Sequence, residues 1–389
     1  MVDIVFVIPG NIKEGRGGEK VLFSYIKYKP EIFNVTIIQN NLIENKRLDD
    51  EFINTNLKNT EIYTYDASGN QNVYRKLFGN YTIKDLIKDL FISIFKNPYK
   101  KDFKNILKNY PNIYNKIINA DIAYLFSNNH AILFRKSKAK IIIGSNHLFN
   151  INELEYTSFK KLYVNLHDRY FYKYTNGFHF FPQNYKYKNI LNKKYNISLG
   201  VGINTSLFYP NENKKNNKIK FFFLASLRFE KGLDILLPVI DYFKDNSDIE
   251  FHIAGSGPLE NEIVKRDYIK FYKNPDDNKL SELYRNMDIF IYPSHNDAYP
   301  SVVLQALSSG LYVLCSDYLK GIFDDFENEY LKYIKNTKEY YVNEIKKIIE
   351  DRNIIIHDKN SEHKKISENY DEKIITEKLY DNLLKFIEN

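Results

Sequence analysis

Short apolar runs alternate with amphipathic stretches along this chain, and this alternation restricts its fold more than any other feature. Val2–Ile8 is continuously apolar, as expected for a strand buried on both faces of a parallel sheet. A glycine-rich turn follows, then four apolar residues at helical spacing between positions 21 and 26, then the β-branched run Val35–Ile38. Strand, helix and strand at this spacing predict a βαβ opening and an α/β fold.

The alternation continues through both halves of the chain. Further strands are predicted at Ile122–Leu125, Lys140–Ser145 and Gly177–Phe181, and then at Lys220–Ala225, Glu250–Ala254, Asp288–Tyr292 and Leu311–Ser316. In the second half, helices are predicted to start near Lys231, Pro258, Asn278 and Pro300. Since 389 residues exceed one ordinary core, we expect two Rossmann-like, doubly wound domains.

The domain boundary is predicted from a change in composition and periodicity. Residues 211–218 are polar, charged and without periodicity, which is typical of a linker. We therefore expect an N-terminal domain at 1–208, a C-terminal domain at 218–370 and a closing amphipathic helix within 371–389. The basic, aromatic and helical stretch at about 74–118 is too long for a plain connection, so an insertion in the first domain is predicted there.

Composition limits the partners and the compartment. The formal net charge of +7 suits anionic partners such as nucleotide phosphates or acidic lipid, but no nucleic-acid-binding module is readable, so nucleic acid is not expected. Cys315 is the single cysteine, which excludes a disulfide within the chain. The N-terminal apolar run is too short for a signal peptide, and no apolar run approaches about 20 residues, so a cytoplasmic protein is expected.

The first glycine-rich turn can bind an anion at a helix start. Gly15 and Gly17 begin a dinucleotide-type fingerprint, but Lys20 stands where its third glycine is needed, and no acidic residue ends the second strand. A nicotinamide cofactor is therefore not expected. A helix N-terminus still presents free N–H groups to phosphate, although a flexible turn would have the same sequence.

Two cations follow the first strand of the second half. Arg228 and Lys231 are three residues apart at a strand-to-helix turn, so both can point at one site. Two cations beside a helix start suit a diphosphate leaving group, whose developing charge they would neutralise. The alternative is a solvated surface pair. A second tight turn contains Gly255 and Gly257, where the backbone can approach a flat ring or a phosphate. Glycine is also common in tight turns that bind no ligand.

The segment from Pro293 to Ala306 carries the most information. Asp297 lies in a loop, and Gln305 lies eight residues later in the helix that begins near Pro300. The first backbone N–H groups of that helix are predicted to be available to phosphate; they belong to Tyr299, Ser301 and Val302. A polar group at each end of this segment could bracket a sugar nucleotide.

Taken in order and with this spacing, these motifs resemble family 4 of the retaining glycosyltransferases. The resemblance is carried by Arg228-Phe-Glu-Lys231-Gly232, Gly255-Ser-Gly257-Pro258, Pro293-Ser294-His-Asn-Asp297 with Gln305-Ala306, Leu199–Pro210 and Gly17-Gly18-Glu19-Lys20. It implies the GT-B fold, in which two Rossmann-like domains face each other across a cleft and the C-terminal helix crosses back onto the first domain.

The resemblance also implies an activity and a set of roles. A sugar would pass from a nucleoside-diphosphate sugar to an acceptor hydroxyl of a glycan, lipid-linked or protein-linked acceptor, with retained configuration and without a metal or other cofactor. The diphosphate would be bound by Arg228, Lys231, Gly17, Gly18 and the helix start, and the nucleoside by Gly255, Gly257 and Gln305. Asp297 would face the donor sugar, and His147 would lie near the reacting sugar as a second catalytic residue, although a strand-end histidine is also often structural.

Two departures from the family leave alternatives open. The family has two glutamates where this chain has Asp297 and Gln305, which shortens one side chain and removes the charge of the other. Glutamine can still bond a ribose hydroxyl but is the weaker acceptor. A GT-B protein that binds a sugar nucleotide or glycan without turnover, and a GT-B epimerase, are therefore retained as alternatives.

A basic amphipathic face is predicted near residues 83–101. It comprises Lys84, Lys88, Lys96, Lys100 and Lys101 beside Leu86, Leu90, Phe91 and Phe95. It could touch an anionic membrane surface, which would make the protein peripheral, or it could pack on its own domain.

Overall fold

The protein divides into two compact units, each described here by itself. The computed structural model describes residues 1–15, 17–41, 48, 50–57, 59–66, 98–144, 173–183, 195–211, 217–327 and 329–388. Unit 1 comprises Met1–Gly200 and Thr376–Asn389, and unit 2 comprises Val201–Ile375.

Unit 1 contains a parallel sheet whose described strands run in the order β3-β2-β1-β4-β5-β6-β7. The strands are β1 (Val2–Val7), β2 (Phe33–Asn40), β3 (Glu61–Tyr65), β4 (Ile122–Leu125), β5 (Lys140–Ile143), β6 (Gly177–Phe180) and β7 (Tyr195–Ser198). Its described helices are α1 (Gly17–Lys27), α2 (Asp50–Asn56), α3 (Pro98–Asn109) and α4 (Pro111–Asn119). The central strands β1 and β4 are almost wholly buried, which their continuous apolar sequence predicts.

Unit 2 contains a second parallel sheet in the order β10-β9-β8-β11-β12-β13. Its strands are β8 (Ile219–Leu224), β9 (Ile249–Gly255), β10 (Ile269–Lys273), β11 (Ile289–Tyr292), β12 (Tyr312–Ser316) and β13 (Leu331–Ile334). Its helices are α5 (Leu233–Tyr242), α6 (Glu260–Val264), α7 (Asp277–Asn286), α8 (Ser301–Ser308), α9 (Lys338–Glu350) and α10 (Lys359–Tyr370). The prediction of two Rossmann-like parallel sheets is therefore confirmed.

The closing helix α11 (Glu372–Glu388) belongs to both units, since the boundary falls between Ile375 and Thr376. Its larger part packs within unit 1. The Tyr380 hydroxyl donates to the backbone oxygen of Tyr25 at 2.9 Å, and the Tyr380 ring lies 4.6 Å from that of Phe33, measured between centroids. The burial of these aromatic groups is the packing that attaches the helix to unit 1.

The boundary between the units lies eight residues earlier than the sequence predicts. The sequence places 201–208 in the first domain, whereas the structure groups them with unit 2. The backbone N–H of Glu372 donates to the oxygen of Ile203 at 2.8 Å, and Ser308 Oγ donates to the oxygen of Phe208 at 2.6 Å. These hydrogen bonds hold the segment against the start of α11 and the end of α8.

Four strands that the sequence did not predict are β3, β7, β10 and β13, and these are the edge strands of the two sheets. Each has only one or two buried positions and keeps the others partly or fully exposed, so it lacks the continuous apolar run that identifies a central strand. Helices α3 and α4 occupy the described part of the predicted 74–118 insertion, and their apolar residues join the core of unit 1.

Several predictions fall on residues outside the described ranges. These are His147, most of the linker at 211–218, and the basic face at 83–101 apart from its last residues. Within the described part of the chain, no helix combines the length and apolar character needed to cross a membrane.

Candidate functional site

The strand order of unit 2 indicates at which end of its sheet a ligand would bind. Strands β8 and β11 lie side by side, and the chain winds outwards from them in opposite directions. In an open parallel sheet, ligands bind beyond the carboxyl ends of the two strands at such a switch point. The loops that follow β8 and β11 contain Arg228, Lys231 and Asp297, so three predicted site residues lie there.

A glycine without room for a side chain joins the two loops. Gly232 has a φ of 79°, and a Cβ at this position would lie 1.9 Å from the backbone oxygen of Pro293. Beside this contact, the backbone N–H of His295 donates to the oxygen of Glu230 at 3.0 Å, and Ser294 Oγ donates to the same oxygen at 3.2 Å. Backbone packing and these two hydrogen bonds therefore hold the two loops together.

One carboxylate oxygen of Asp297 accepts two hydrogen bonds. Lys231 Nζ lies 2.5 Å from Asp297 Oδ2, and the Tyr292 hydroxyl donates to the same oxygen at 2.7 Å. The Lys231 and Asp297 side chains are 22% and 20% exposed, so this ion pair is shielded from much of the solvent. Tyr292 is buried, and burial together with the negative charge of Asp297 raises the pKa of its phenol well above the ordinary value. The phenol therefore stays protonated and acts as a donor.

Arg228 presents its charge to solvent. It caps the short 3-10 turn Phe229–Lys231, and its side chain is exposed. Its guanidinium has no hydrogen bond or ion pair with the part of the chain that the structure describes. A guanidinium held on an ordered turn and left uncommitted is suited to binding phosphate oxygens.

The start of α8 offers backbone donors. Pro300 occupies the position before the helix, and the backbone N–H of Val303 turns back to the Pro300 oxygen at 3.1 Å. The N–H groups of Ser301 and Val302 have no backbone acceptor among the described residues, which agrees with their predicted availability to an anion. The Tyr299 side chain is buried, so its predicted phosphate contact depends on its backbone N–H.

Gln305 lies on α8 and is half-buried. Its Oε1 accepts a hydrogen bond from the Tyr284 hydroxyl at 3.3 Å, and that hydroxyl also donates to the Val302 oxygen at 3.1 Å. The amide oxygen of Gln305 is therefore already engaged, and its amide nitrogen is the group better placed to meet a ligand.

Gly255 and Gly257 owe their lack of a side chain to contacts within the protein. A Cβ on Gly255 would lie 2.0 Å from the oxygen of Ala225, and one on Gly257 would lie 2.6 Å from the oxygen of Leu227. The turn after β9 thus packs directly on the turn after β8. Nucleoside binding by their backbone stays a prediction.

The remaining predicted residues belong to unit 1. Gly17 and Gly18 begin α1 directly after the loop that follows β1, which is the helix start that the sequence predicts. Gly17 is exposed, and among the described residues no atom outside its own helix and chain neighbours lies within 4 Å of the place where its Cβ would be. His147 lies outside the described residues, so its catalytic role stays a prediction.

Sequence reasoning missed two features of this site. Tyr292 ends a buried strand five residues before Asp297, and a polar hydroxyl at a strand end was the available signal. His295 Nε2 lies 2.9 Å from Asp234 Oδ1, and Asn336 Nδ2 lies 3.3 Å from His295 Nδ1. Asp234 and Asn336 are distant in sequence from His295, so this bonding arrangement could not be read from spacing.

Comparison with known proteins assigns a domain to this part of the chain. Residues 207–372, less than half of the chain, match the family model described as Glycosyl transferases group 1. The chain is also similar to the putative teichuronic acid biosynthesis glycosyltransferase TuaC of Bacillus subtilis, with 26% identity over 129 residues. That match covers 31% of this chain and 32% of TuaC, so the chain spans about a third of the length of this curated relative.

Solved structures match over almost the whole chain and establish the fold. Sucrose-phosphate synthase from Thermosynechococcus elongatus aligns with a TM-score of 0.69 at 12% identity, covering 99% of this chain and 100% of that one. Anabaena HepE in complex with UDP and glucose aligns with a TM-score of 0.68 at 13% identity, covering 98% and 99%. The two parallel sheets are those of the GT-B fold.

Proposed function

We propose that this chain, with a group 1 glycosyltransferase domain at 207–372 and the GT-B fold, transfers a sugar from a nucleoside-diphosphate sugar to a hydroxyl of a glycan or lipid-linked acceptor. We further propose that the transfer retains the anomeric configuration. The fold supplies the scaffold, and the activity is argued from the side chains at the switch point of unit 2.

One observation carries the proposal. Lys231 and Asp297 meet at 2.5 Å at the carboxyl ends of β8 and β11, with the exposed Arg228 on the same turn as Lys231. A nucleoside-diphosphate sugar has a doubly charged diphosphate next to a polar, uncharged sugar ring. Two cations beside one carboxylate match this distribution, because the cations suit the diphosphate and the carboxylate can accept hydrogen bonds from sugar hydroxyls.

The proposed chemistry breaks the bond between the anomeric carbon and the diphosphate oxygen. The electron pair leaves with the diphosphate, and Arg228, Lys231 and the N–H groups at the start of α8 stabilise that growing charge. The acceptor oxygen then bonds to the same face of the anomeric carbon, and its proton passes to the departing phosphate oxygen. Asp297 would orient the donor sugar by accepting from its hydroxyls.

The relatives support the substrate class. HepE was solved with UDP and glucose, and TuaC carries the description of a glycosyltransferase. Both are consistent with a nucleotide-sugar donor for this chain. We propose that no metal is needed, because protein cations and backbone N–H groups can neutralise the diphosphate. Adding EDTA should therefore leave the transfer rate unchanged.

The experiment is a donor screen with product analysis. The purified chain is incubated with UDP, GDP and ADP sugars, with and without glycan acceptors, and both the released nucleoside diphosphate and the sugar products are measured. Acceptor-dependent release with a new glycosidic bond of unchanged anomeric configuration is expected. Asp297→Asn, nearly equal in volume, is the matched control and should release little product.

The other outcomes are distinguishable. Binding of a sugar nucleotide without any release would overturn the transferase in favour of a non-catalytic binding protein. A changed sugar that stays on its nucleotide without an acceptor would indicate an epimerase. Inversion of the anomeric centre would contradict the retaining mechanism alone.

A further inference from the structure

The Tyr292 phenol is a second anchor of Asp297, independent of Lys231. Its hydroxyl lies at the end of the buried strand β11 and donates to Asp297 Oδ2 at 2.7 Å. The Tyr292 ring is fixed by neighbours, with its centroid 5.8 Å from that of Phe290 and 6.2 Å from that of Phe223. The position of this donor is therefore set by the core of unit 2.

Both anchors use the same carboxylate oxygen. Lys231 Nζ and the Tyr292 hydroxyl bond Oδ2, whereas Oδ1 of Asp297 has no hydrogen-bond partner among the residues that the structure describes. The carboxylate is thus held at one oxygen and presents the other. A group that accepts hydrogen bonds from sugar hydroxyls needs such a free, oriented oxygen.

The two anchors respond differently to a charged ligand. Lys231 is a flexible ammonium group, and a bound diphosphate would compete with Asp297 for its hydrogen bonds. Tyr292 is a buried neutral donor with no freedom to follow the phosphate. When Lys231 turns towards a diphosphate, the phenol is the anchor that stays on Asp297.

We propose that Tyr292 is the positioning residue that holds Asp297 towards the donor sugar once Lys231 engages the diphosphate. The inference rests on the proposed function and deepens it, because it assigns Lys231 to the diphosphate and Tyr292 to the sugar-facing carboxylate. It also explains how the short side chain of Asp297 can be held in position. The Tyr292 hydroxyl, at the end of β11, reaches the Asp297 carboxylate directly.

Tyr292→Phe tests the proposal, since it keeps the ring packing and removes the hydroxyl. We expect kcat for transfer to fall about 10-fold to 100-fold, because a misdirected contact to the reacting sugar is costly. The affinity for the nucleoside diphosphate alone should change by less than about 2-fold, because the phenol does not face phosphate. The preference for the sugar nucleotide over the nucleoside diphosphate should shrink in binding measurements.

Two further variants separate positioning from fold stability. In an Asp297→Asn background, Tyr292→Phe should lower kcat by less than about 2-fold more, because residues that act through one another are not additive. Tyr268→Phe is the matched control. The Tyr268 hydroxyl donates to Asp241 Oδ1 at 2.6 Å, and Arg266 pairs with that carboxylate, so a phenol and a cation also share an aspartate away from the site. This control should transfer sugar at the parent rate.

The outcomes that would overturn the inference differ from those that would overturn the proposed function. If the parent transfers sugar and Tyr292→Phe retains its kcat, Tyr292 has no positioning role. If Tyr292→Phe and Asp297→Asn lower kcat independently and multiply, Tyr292 acts through general stability instead. If the parent neither binds nor turns over any sugar nucleotide, the proposed function fails first.

Discussion

Nζ of Lys231 lies 2.5 Å from Oδ2 of Asp297, and this ion pair connects the turn after β8 with the loop after β11. The sequence predicts one role for each residue, with Lys231 on the diphosphate and Asp297 on the donor sugar. The structure shows that the two groups share a hydrogen bond. A diphosphate that takes hydrogen bonds from Lys231 would compete with Asp297 for the same ammonium group, which links diphosphate binding to the freedom of Asp297.

Arg228→Ala and Lys231→Ala should separate ligand binding from stability. Arg228 is exposed and uncommitted among the described residues, so its removal should leave the melting temperature of the free protein unchanged. Removing Lys231 breaks a shielded ion pair and should cost about 1 kcal/mol. Both variants should lose the thermal stabilisation that UDP, GDP or ADP sugars confer on the parent, measured by differential scanning fluorimetry.

A distant lysine is the control for those variants. Lys270 Nζ pairs with Glu250 Oε2 at 2.8 Å on the neighbouring strands β9 and β10. Lys270→Ala should keep the full ligand-induced shift. Ligand-induced stabilisation that survives in both Arg228→Ala and Lys231→Ala would place the donor site elsewhere.

Gln305→Glu should strengthen donor binding without changing the chemical step. The Gln305 oxygen already accepts from the Tyr284 hydroxyl, so a glutamate would offer a second, charged oxygen to a ribose hydroxyl. We expect KM for the donor to fall about 3-fold to 10-fold with kcat unchanged, since a charged acceptor adds about 1 kcal/mol. Steady-state kinetics with the best donor provide the measurement. A lower kcat at unchanged KM would show that Gln305 does not contact the ribose.

Gly232→Ala should disrupt the joined loops. Its positive φ and the 1.9 Å approach of a Cβ to the Pro293 oxygen would both have to be relieved, at a combined cost of about 3 kcal/mol or more. Gly321→Ala is the control, because Gly321 also has a positive φ of 95°, but no described atom beyond its chain neighbours lies within 4 Å of a Cβ placed there. It should lose only about 1 kcal/mol. Chemical denaturation measures both, and equal losses would mean that the contact with Pro293 does not matter.

The buried pair His357 and Glu362 should make stability depend on pH. His357 Nδ1 contacts the oxygen of Ile355 at 3.1 Å and so must donate, which leaves Nε2 to accept from a protonated Glu362 at 2.8 Å. Burial lowers the pKa of His357 to about 4 and raises the pKa of Glu362 well above its ordinary value. Both groups are therefore neutral in the folded protein at pH values between these two folded pKa values.

The signs of the two effects define the pH window. The contribution of Glu362 is complete below its unfolded pKa of 4.5 and is lost as pH rises through its raised folded pKa. The contribution of His357 is complete above 6.5 and is lost as pH falls through about 4, so the two oppose each other between 4.5 and 6.5. Above 6.5, the contribution of His357 no longer changes with pH.

Glu362→Gln isolates this effect because its amide can still donate to His357. Relative to this variant, the parent should lose unfolding free energy as pH rises from 4.5 towards the raised folded pKa of Glu362, by up to about 1.4 kcal/mol per pH unit. Urea denaturation of both proteins between pH 5 and pH 8.5 measures the difference. Parallel stability curves would show that Glu362 does not change its protonation in this range.

The sequence alone determined the buried centre of each sheet and the order of the motifs. Central strands such as β1, β8 and β11 are apolar on both faces, so they are recognisable without any knowledge of their neighbours. The edge strands β3, β7, β10 and β13 were missed, because an edge strand keeps part of its surface in water and has a mixed composition.

Only the tertiary structure decided which side chains meet. The pairing of Lys231 with Asp297, the phenol of Tyr292 beneath that carboxylate and the close approach of Gly232 to Pro293 all depend on β8 lying next to β11. These strands are separated in the sequence by β9 and β10, so local pattern contains no information about their contact. Sequence spacing identified the charged residues of the site, and the parallel pairing of distant strands determined how those charges are held.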